Sequence, residues 1–239
     1  MATLFSPSLG QAAIDHGPWS VLLARHVDDQ GRVAYRDLQG KDRALFDAYL
    51  LTLAQTQTDG MAEDEEKSLW LNAYNAAIVS GVLQGYTAEG VLGRKRLFGW
   101  FTVEVAGKAR TPDEIEHHIL RKKFHDPRIH FALVCASSSC PKLRREAYDP
   151  EHLEAQLDAA TRDFLADLGR NHIEANQVAL SRIFEWYAAD FAERDGSVVA
   201  FIRRFVGQEK QVMLPATDGE LRYLDYNWTL NAQDGQRVR

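Results

Sequence analysis

The stretch EEKSLWLNAYNAAIVSGVLQGY, residues 65–86, is apolar on nearly every side of a helical repeat. A helix of that character must be covered on most faces, so it predicts the centre of the fold. Asn72 and Asn75 lie three apart on it and share a face. Burial obliges each amide to find hydrogen-bond partners or lose ~1–3 kcal/mol. Two readings follow: the amides clamp the backbone of neighbouring loops, or they line a site and position a ligand.

Working outward, Trp19 to Val27 and Arg43 to Leu53 carry helical apolar spacing. Asp28-Asp29-Gln30-Gly31 is a turn leading into Val33 and Tyr35, and QTQTDGMAEDEE (55–66) is an exposed loop. The Asp pair lacks the ligand spacing of a calcium loop. Downstream, Phe101, Val103 and Val105 alternate with polar residues as a strand, and Ala106-Gly107-Lys108 supplies a tight turn. Thr111-Pro112-Asp113-Glu114 then reads as a capping box opening a helix with Ile115, Ile119 and Leu120. Asp126-Pro127-Arg128 breaks that helix, and Ile129 to Ala136 is a short apolar run expected to form a buried strand.

Asp149-Pro150 is expected to start a helix with Leu153, Leu157, Ala160, Phe164 and Leu168 on one face. A hairpin over Ile173 to Leu180 turns at Asn176-Gln177, and Ser181 caps a helix over Ile183 to Phe191. Val198 to Val206 forms another helix, and Leu221 to Tyr226 a last strand. The sum is α+β: one helix-rich domain over residues 1–239, with a central buried helix packed on a small sheet.

The chain has 239 residues, of which 45% are hydrophobic and 26% charged, enough to build a sizeable core. Its formal charge of −6 argues against a nucleic-acid binder that works through the phosphate backbone. No apolar run approaches the ~20 residues of a membrane span, and Met1 to Phe5 lacks the basic start of an export signal. With only two cysteines, Cys135 and Cys140, a disulfide framework and a cysteine-only zinc site are both excluded.

Chemistry concentrates in RIHFALVCASSSCPKLRREAY, residues 128–148. Cys140 precedes Pro141, a favoured first helical residue, so Cys140 is expected at a helix N-cap, where free N–H groups lower a thiol pKa. Ser137-Ser138-Ser139 supplies amides and hydroxyls for an oxyanion or carboxylate. His130 is the candidate base and Glu116, on the preceding helix, the candidate orienting group. On a strand His130 and Cys135 face opposite ways, whereas Cys140, beyond the loop, is free of that parity.

Arg128 is a candidate for binding a ligand carboxylate, with Asn72, Asn75 and Ser139 positioning substrate. A Cys135–Cys140 disulfide, closed by folding back the intervening loop, stands as the alternative to a free nucleophile. The eight histidines lack metal-ligand spacing, so no metal and no cofactor are expected. Arg94-Lys95-Arg96, Arg121-Lys122-Lys123 and the Lys142, Arg144, Arg145 group read as solvated faces, and Phe98 and Trp100 as core or a lid.

WLNAYNA (70–76), VAGKARTPDEIEHHILR (105–121), DPRIHFALVCASSSCPKLRREAY (126–148), LSRIFEWYAADF (180–191) and YNWTLN (226–231) stand in one order. Together they make the chain resemble the bacterial and plant family known as domain of unknown function 547, over about residues 19–231. The resemblance implies a domain without an assigned activity, often exported in bacterial members, which bears on a periplasmic or exported location. The family pattern falls on Asn72, Asn75, Glu116, Arg128, His130, Cys135, Cys140 and Pro141. Asn227 stands where members often carry Asp before the final Trp. By analogy of fold, a thiol-hydrolase architecture similar to papain or transglutaminase fits a buried helix on a short sheet. The expected function is a thiol-dependent hydrolase or transferase on an amide or thiol-containing small peptide. A non-catalytic module for a small anionic ligand or peptide terminus, and a domain with a structural cysteine pair, are the alternatives.

Overall fold

A computed structural model describes residues 14–175 and 177–237. Helices α1 (Gly17–His26), α2 (Tyr35–Lys41) and α3 (Arg43–Gln55) form the first layer, and α4 (Glu63–Leu83) runs through the middle with nearly every residue from Glu66 onward buried. The acidic start of α4, Glu63 to Glu66, complements the positive end of the helix. A short helix α5 (Gly90–Arg94) continues into a π-helix over Lys95–Trp100. The hairpin of β1 (Val103–Val105) and β2 (Lys108–Arg110) follows, pairing Val103 with Arg110 and Val105 with Lys108.

The capping box forms as the sequence predicts: Thr111 N–H donates to Glu114 Oε2 at 2.8 Å, and Glu114 N–H to Thr111 Oγ1 at 3.1 Å. The helix it opens is π-wound over Glu114–Leu120 before ending as α6 (Arg121–Phe124). The wider winding brings Ile115 and Leu120, five apart and both fully buried, onto the face that meets α4. Helix α7 (Leu153–Ala166), strands β3 (His172–Glu174) and β4 (Gln177–Leu180), and helices α8 (Ile183–Trp186), α9 (Ala188–Asp195) and α10 (Val198–Phe205) build the second half. Strand β4 pairs antiparallel with β3 and parallel with β5 (Arg222–Tyr223). Of the expected hairpin turn, Asn176 lies outside the described residues.

The chain is thus α+β and helix-rich, with α4 at its centre; what surrounds α4 is mainly helix, namely α2, α3 and the two π-helices. One apolar core gathers α1 to α4. A second is a phenylalanine cluster in which Phe131, Phe164, Phe184, Phe191 and Phe201 sit with ring centroids 4.7–6.2 Å apart. Ile129 belongs to the first core and Phe131 to the second, so this segment joins the two.

Several expectations are corrected. Residues 129–136 are not a strand: Pro127–Phe131 is a 3-10 helix, capped by the Asp126 carboxylate accepting from Arg128 N–H, and the chain beyond it is irregular. The apolar run is satisfied by burial alone, because Asn75 supplies the polar partners a neighbouring strand would have given. Its Nδ2 donates to Ala132 C=O at 3.0 Å, and its Oδ1 accepts from Val134 N–H at 2.9 Å. No helix starts at Pro141. Residues 141–149 run as irregular chain against Gly31, where a Cβ would stand 2.6 Å from the Lys142 Cα, and Asn72 brackets Tyr148 through both its N–H and its C=O. Helix α7 ends before Leu168, which is exposed, and the expected 183–191 helix breaks at Tyr187.

The amide clamps carry a measurable load. Asn75→Ala leaves a buried carbonyl and a buried N–H without partners, so urea denaturation should show a loss of about 2–4 kcal/mol. A change below ~0.5 kcal/mol would mean that water or another side chain replaces the clamp.

Candidate functional site

A cavity of about 240 Å3 opens between the π-helix Glu114–Leu120, the 3-10 segment, the cysteine loop and the chain around Tyr226. Its lining includes Cys135, Cys140, His130 and Glu116, so the three residues singled out as catalytic from sequence line one cavity. Much of the remaining wall is aromatic, with Tyr74, Phe98, Trp186, Tyr187, Tyr226 and Trp228; Leu133, Pro141 and Ile183 add apolar surface, and Arg94, Asp113 and His117 are further polar members. Tyr226 lies 4.6 Å from Trp228 and 4.8 Å from Trp186, ring centre to ring centre. A larger cavity, about 320 Å3, lies elsewhere beside the Asp28 turn and Arg144; of its four cations, Arg144, Arg145 and Arg170 are paired with Glu146, Asp29 and Asp167, and Lys142 forms no ion pair among the described residues.

The two cysteines form a disulfide, with Cα atoms 6.0 Å apart. This corrects the expectation of a free Cys140 thiol at a helix N-cap and realises the alternative pairing. The loop folds back because its backbone is held on three sides. Cys140 N–H donates to Ser137 C=O, Ser138 N–H to Thr229 C=O, and Ser139 N–H to Asn227 C=O. Arg170 donates from Nε to Cys140 C=O at 2.7 Å and from Nη2 to Ser138 C=O at 3.1 Å. Ala136 adopts a left-handed φ of 59° at the bend. Around the sulfurs, Cys135 N–H donates to Cys140 Sγ at 2.7 Å, and the Tyr226 hydroxyl lies 3.3 Å from Cys135 Sγ and 3.4 Å from Cys140 Sγ. Burial pushes the Tyr226 hydroxyl up to about 12, so it stays protonated as a donor.

His130 is anchored by a residue that the sequence reading passed over. Its Nε2 lies 2.8 Å from Asp190 Oδ2, and Arg121 grips the same carboxylate through two bonds of 2.7 Å. Burial alone would raise the Asp190 carboxyl, but the hydrogen bonds from Arg121 and then His130 outweigh it and hold Asp190 well below the usual carboxylate range. An ionised Asp190 can only accept, so Nε2 carries the proton and Nδ1 is the nitrogen left to take one. The imidazole also stacks on Tyr187, centroids 3.7 Å apart. Glu116, expected to orient His130, instead accepts from the Tyr187 hydroxyl at 2.6 Å.

The four expected substrate-positioning residues are not brought to the cavity wall. Asn72 and Asn75 hold backbone, and Ser139 Oγ accepts from Asn227 N–H. Arg128 is buried in a network with Asp126, Glu154 and Asp158, so its charge is already matched. Arg94 takes the place expected for Arg128. It lines the cavity, its guanidinium lies 4.4 Å over Trp228, and it forms no ion pair among the described residues. Among the described residues, no group of three or more His, Cys, Asp or Glu side chains could hold a metal ion, and no helix is long and apolar enough to cross a membrane.

Residues 58–165 match the family described as "Protein of unknown function, DUF547", in agreement with the resemblance read from the motifs. No curated protein and no solved structure matches the chain. The matched segment holds Glu116, His130 and both cysteines, whereas Asp190, Tyr226 and Trp228 lie beyond it.

Two measurements check this geometry. The oxidised protein should weigh about 2 Da less than its sequence mass and expose two thiols only after reduction. Asp190 stabilises the fold above its unfolded pKa of about 3.9, and that contribution is lost as pH falls toward its lower folded value. Asp190→Asn should therefore be less stable than wild type at pH ~7, with the gap closing near pH ~2; a pH-independent gap would mean the loss is steric.

Proposed function

We propose a thiol-dependent enzyme, a hydrolase or transferase, that acts on the amide bond of a short peptide held in the aromatic cavity and rests in the disulfide form. The observation that carries this reading is the convergence of both sulfurs, the Asp190-anchored His130 and Glu116 around one cavity. Two equivalents of an external small thiol reduce the Cys135–Cys140 bond, leaving their own disulfide and two cysteine thiols. His130 Nδ1 then takes the Cys140 proton, and the Cys135 N–H and Tyr226 O–H steady the thiolate. The thiolate attacks the amide carbon, and the C–N bond breaks as His130 returns the proton to the departing amine. Water, or an acceptor amine in a transferase, releases the acyl group from sulfur. Arg94 suits a carboxylate on the bound peptide, and the Trp186, Tyr226 and Trp228 rings its apolar part.

The disulfide itself favours a second reading, a non-catalytic module that binds a small anionic ligand or peptide terminus with both sulfurs sealed. Redox state and substitution separate the two. An enzyme turns over peptides only after reduction, loses turnover in Cys140→Ser, and becomes independent of reductant in Cys135→Ser, where Cys140 stays free. Arg94→Gln raises KM for carboxylate-ended peptides about ten-fold. A binding module shows no turnover in any redox state, and its thermal shift with ligand persists in Cys140→Ser and falls in Arg94→Gln.

A further inference from the structure

The segment GVLGRKRLFGW, residues 90–100, presents two faces. One is fixed inward. Leu97 is fully buried against Gly81 of α4, where a Cβ would stand 2.5 Å from the Leu97 Cδ1, and Arg94 and Phe98 line the cavity. The other face is open: Val91 is 76% exposed, Leu92 53% and Trp100 56%, and Lys95 and Arg96 are exposed among them.

The change of winding aligns these residues. Lys95 N–H bonds back to Val91 C=O in the four-residue step of an α-helix, and the following π-helix brings Trp100, five residues on, above Lys95. The Lys95 Nζ accordingly lies 5.3 Å from the Trp100 ring centre. Neither the Lys95 nor the Arg96 side chain forms an ion pair or hydrogen bond among the described residues. The exposed apolar residues elsewhere on the described surface, such as Leu51, Leu168 and Val212, are widely separated along the chain.

We propose that the ridge of Val91, Leu92, Lys95, Arg96 and Trp100 docks the protein on an anionic lipid surface. Aliphatic side chains beside an indole and flanked by unmatched cations suit the headgroup boundary, where aliphatic groups enter the acyl layer, the indole stays at headgroup depth, and lysine and arginine meet lipid phosphate. A chain of net charge −6 is repelled by such a surface except through a local positive face, so this ridge also sets the orientation of approach. Leu97 and Gly81 tie the ridge to the central helix, so it is presented ready-made. The inference is independent of the chemistry proposed for the cavity.

Co-sedimentation of the full chain with phosphatidylcholine vesicles, with and without phosphatidylglycerol, tests the proposal. Partition should rise at least ~10-fold with the anionic lipid, fall about ten-fold in Lys95→Glu/Arg96→Glu, and fall several-fold in Trp100→Ala. Circular dichroism confirms folding of each variant, and Val91→Ser/Leu92→Ser serves as a second apolar test should Trp100→Ala fail to fold. Absence of binding to anionic vesicles, or variants that bind like wild type, overturns the proposal. So does a result in which only the charge reversal matters, because that describes attraction to any polyanion.

Discussion

The structure depends on two side-chain amides that do the work of a backbone. An amide on an asparagine offers one donor edge and one acceptor edge, as a peptide group does. Asn72 and Asn75 use both edges on Tyr148 and on Ala132 and Val134. A buried irregular segment cannot leave its N–H and C=O groups unpaired. Helix α4 supplies pairing for such a segment from a helical face, and so the stretch from Ala132 to Tyr148 can lie in the interior without being a strand or helix. One part of the site hangs from that stretch: the 3-10 turn that carries His130 enters it, and the cysteine loop forms its middle.

The far side of the cysteine loop is fixed by chain from the other end of the protein. Residues 227–231 exchange backbone hydrogen bonds with Ala136, Ser138 and Ser139, while Arg170 ties down the carbonyls of Ser138 and Cys140. Tyr226 and Trp228 are aimed into the cavity as a consequence, and Trp228 in turn carries Arg94. The wall is therefore assembled from segments far apart in sequence, and none of them forms it alone.

That division explains what could be read in advance. Helix α4 and the capping box at Thr111 rest on local pattern, and both appear; Cys140, His130 and Glu116, chosen on residue chemistry, line one cavity, but Cys140 is bonded to Cys135 and Glu116 hydrogen-bonded to Tyr187. The strand expected over Ile129–Ala136 fails because an apolar run reports burial, not conformation, and Asn75 removes the need for a partner strand. Asn72, Asn75 and Arg128 looked like ligand-binding residues because a polar group in an apolar setting needs partners; the sequence does not say whether these come from a ligand or from the fold. Asp190 was hidden inside an apparently continuous helix. Only the break at Tyr187 turns it toward Arg121 and His130, and no local signal announces that break.

The charges around the cavity constrain what can enter it. The charge of Asp190 is matched by Arg121, and His130 hydrogen-bonds the same carboxylate, so Asp190 adds little net field. Glu116 accepts from the neutral Tyr187 hydroxyl, has the Tyr74 hydroxyl beside it, and lies 3.8 Å from His117. Asp113 lines the same corner; burial first, and then the nearby Glu116 charge, outweigh His117 and raise its carboxyl above the usual range. A further negative charge at that corner would add to the Glu116 charge that already disfavours ionisation of Asp113, whereas an N–H donor or an ammonium would relieve it. At the Trp228 edge the sign reverses, because Arg94 has an aromatic face beneath it and, among the described residues, no carboxylate paired with it. The cavity is thus polarised, with carboxyl groups at one corner and a guanidinium at the Trp228 edge.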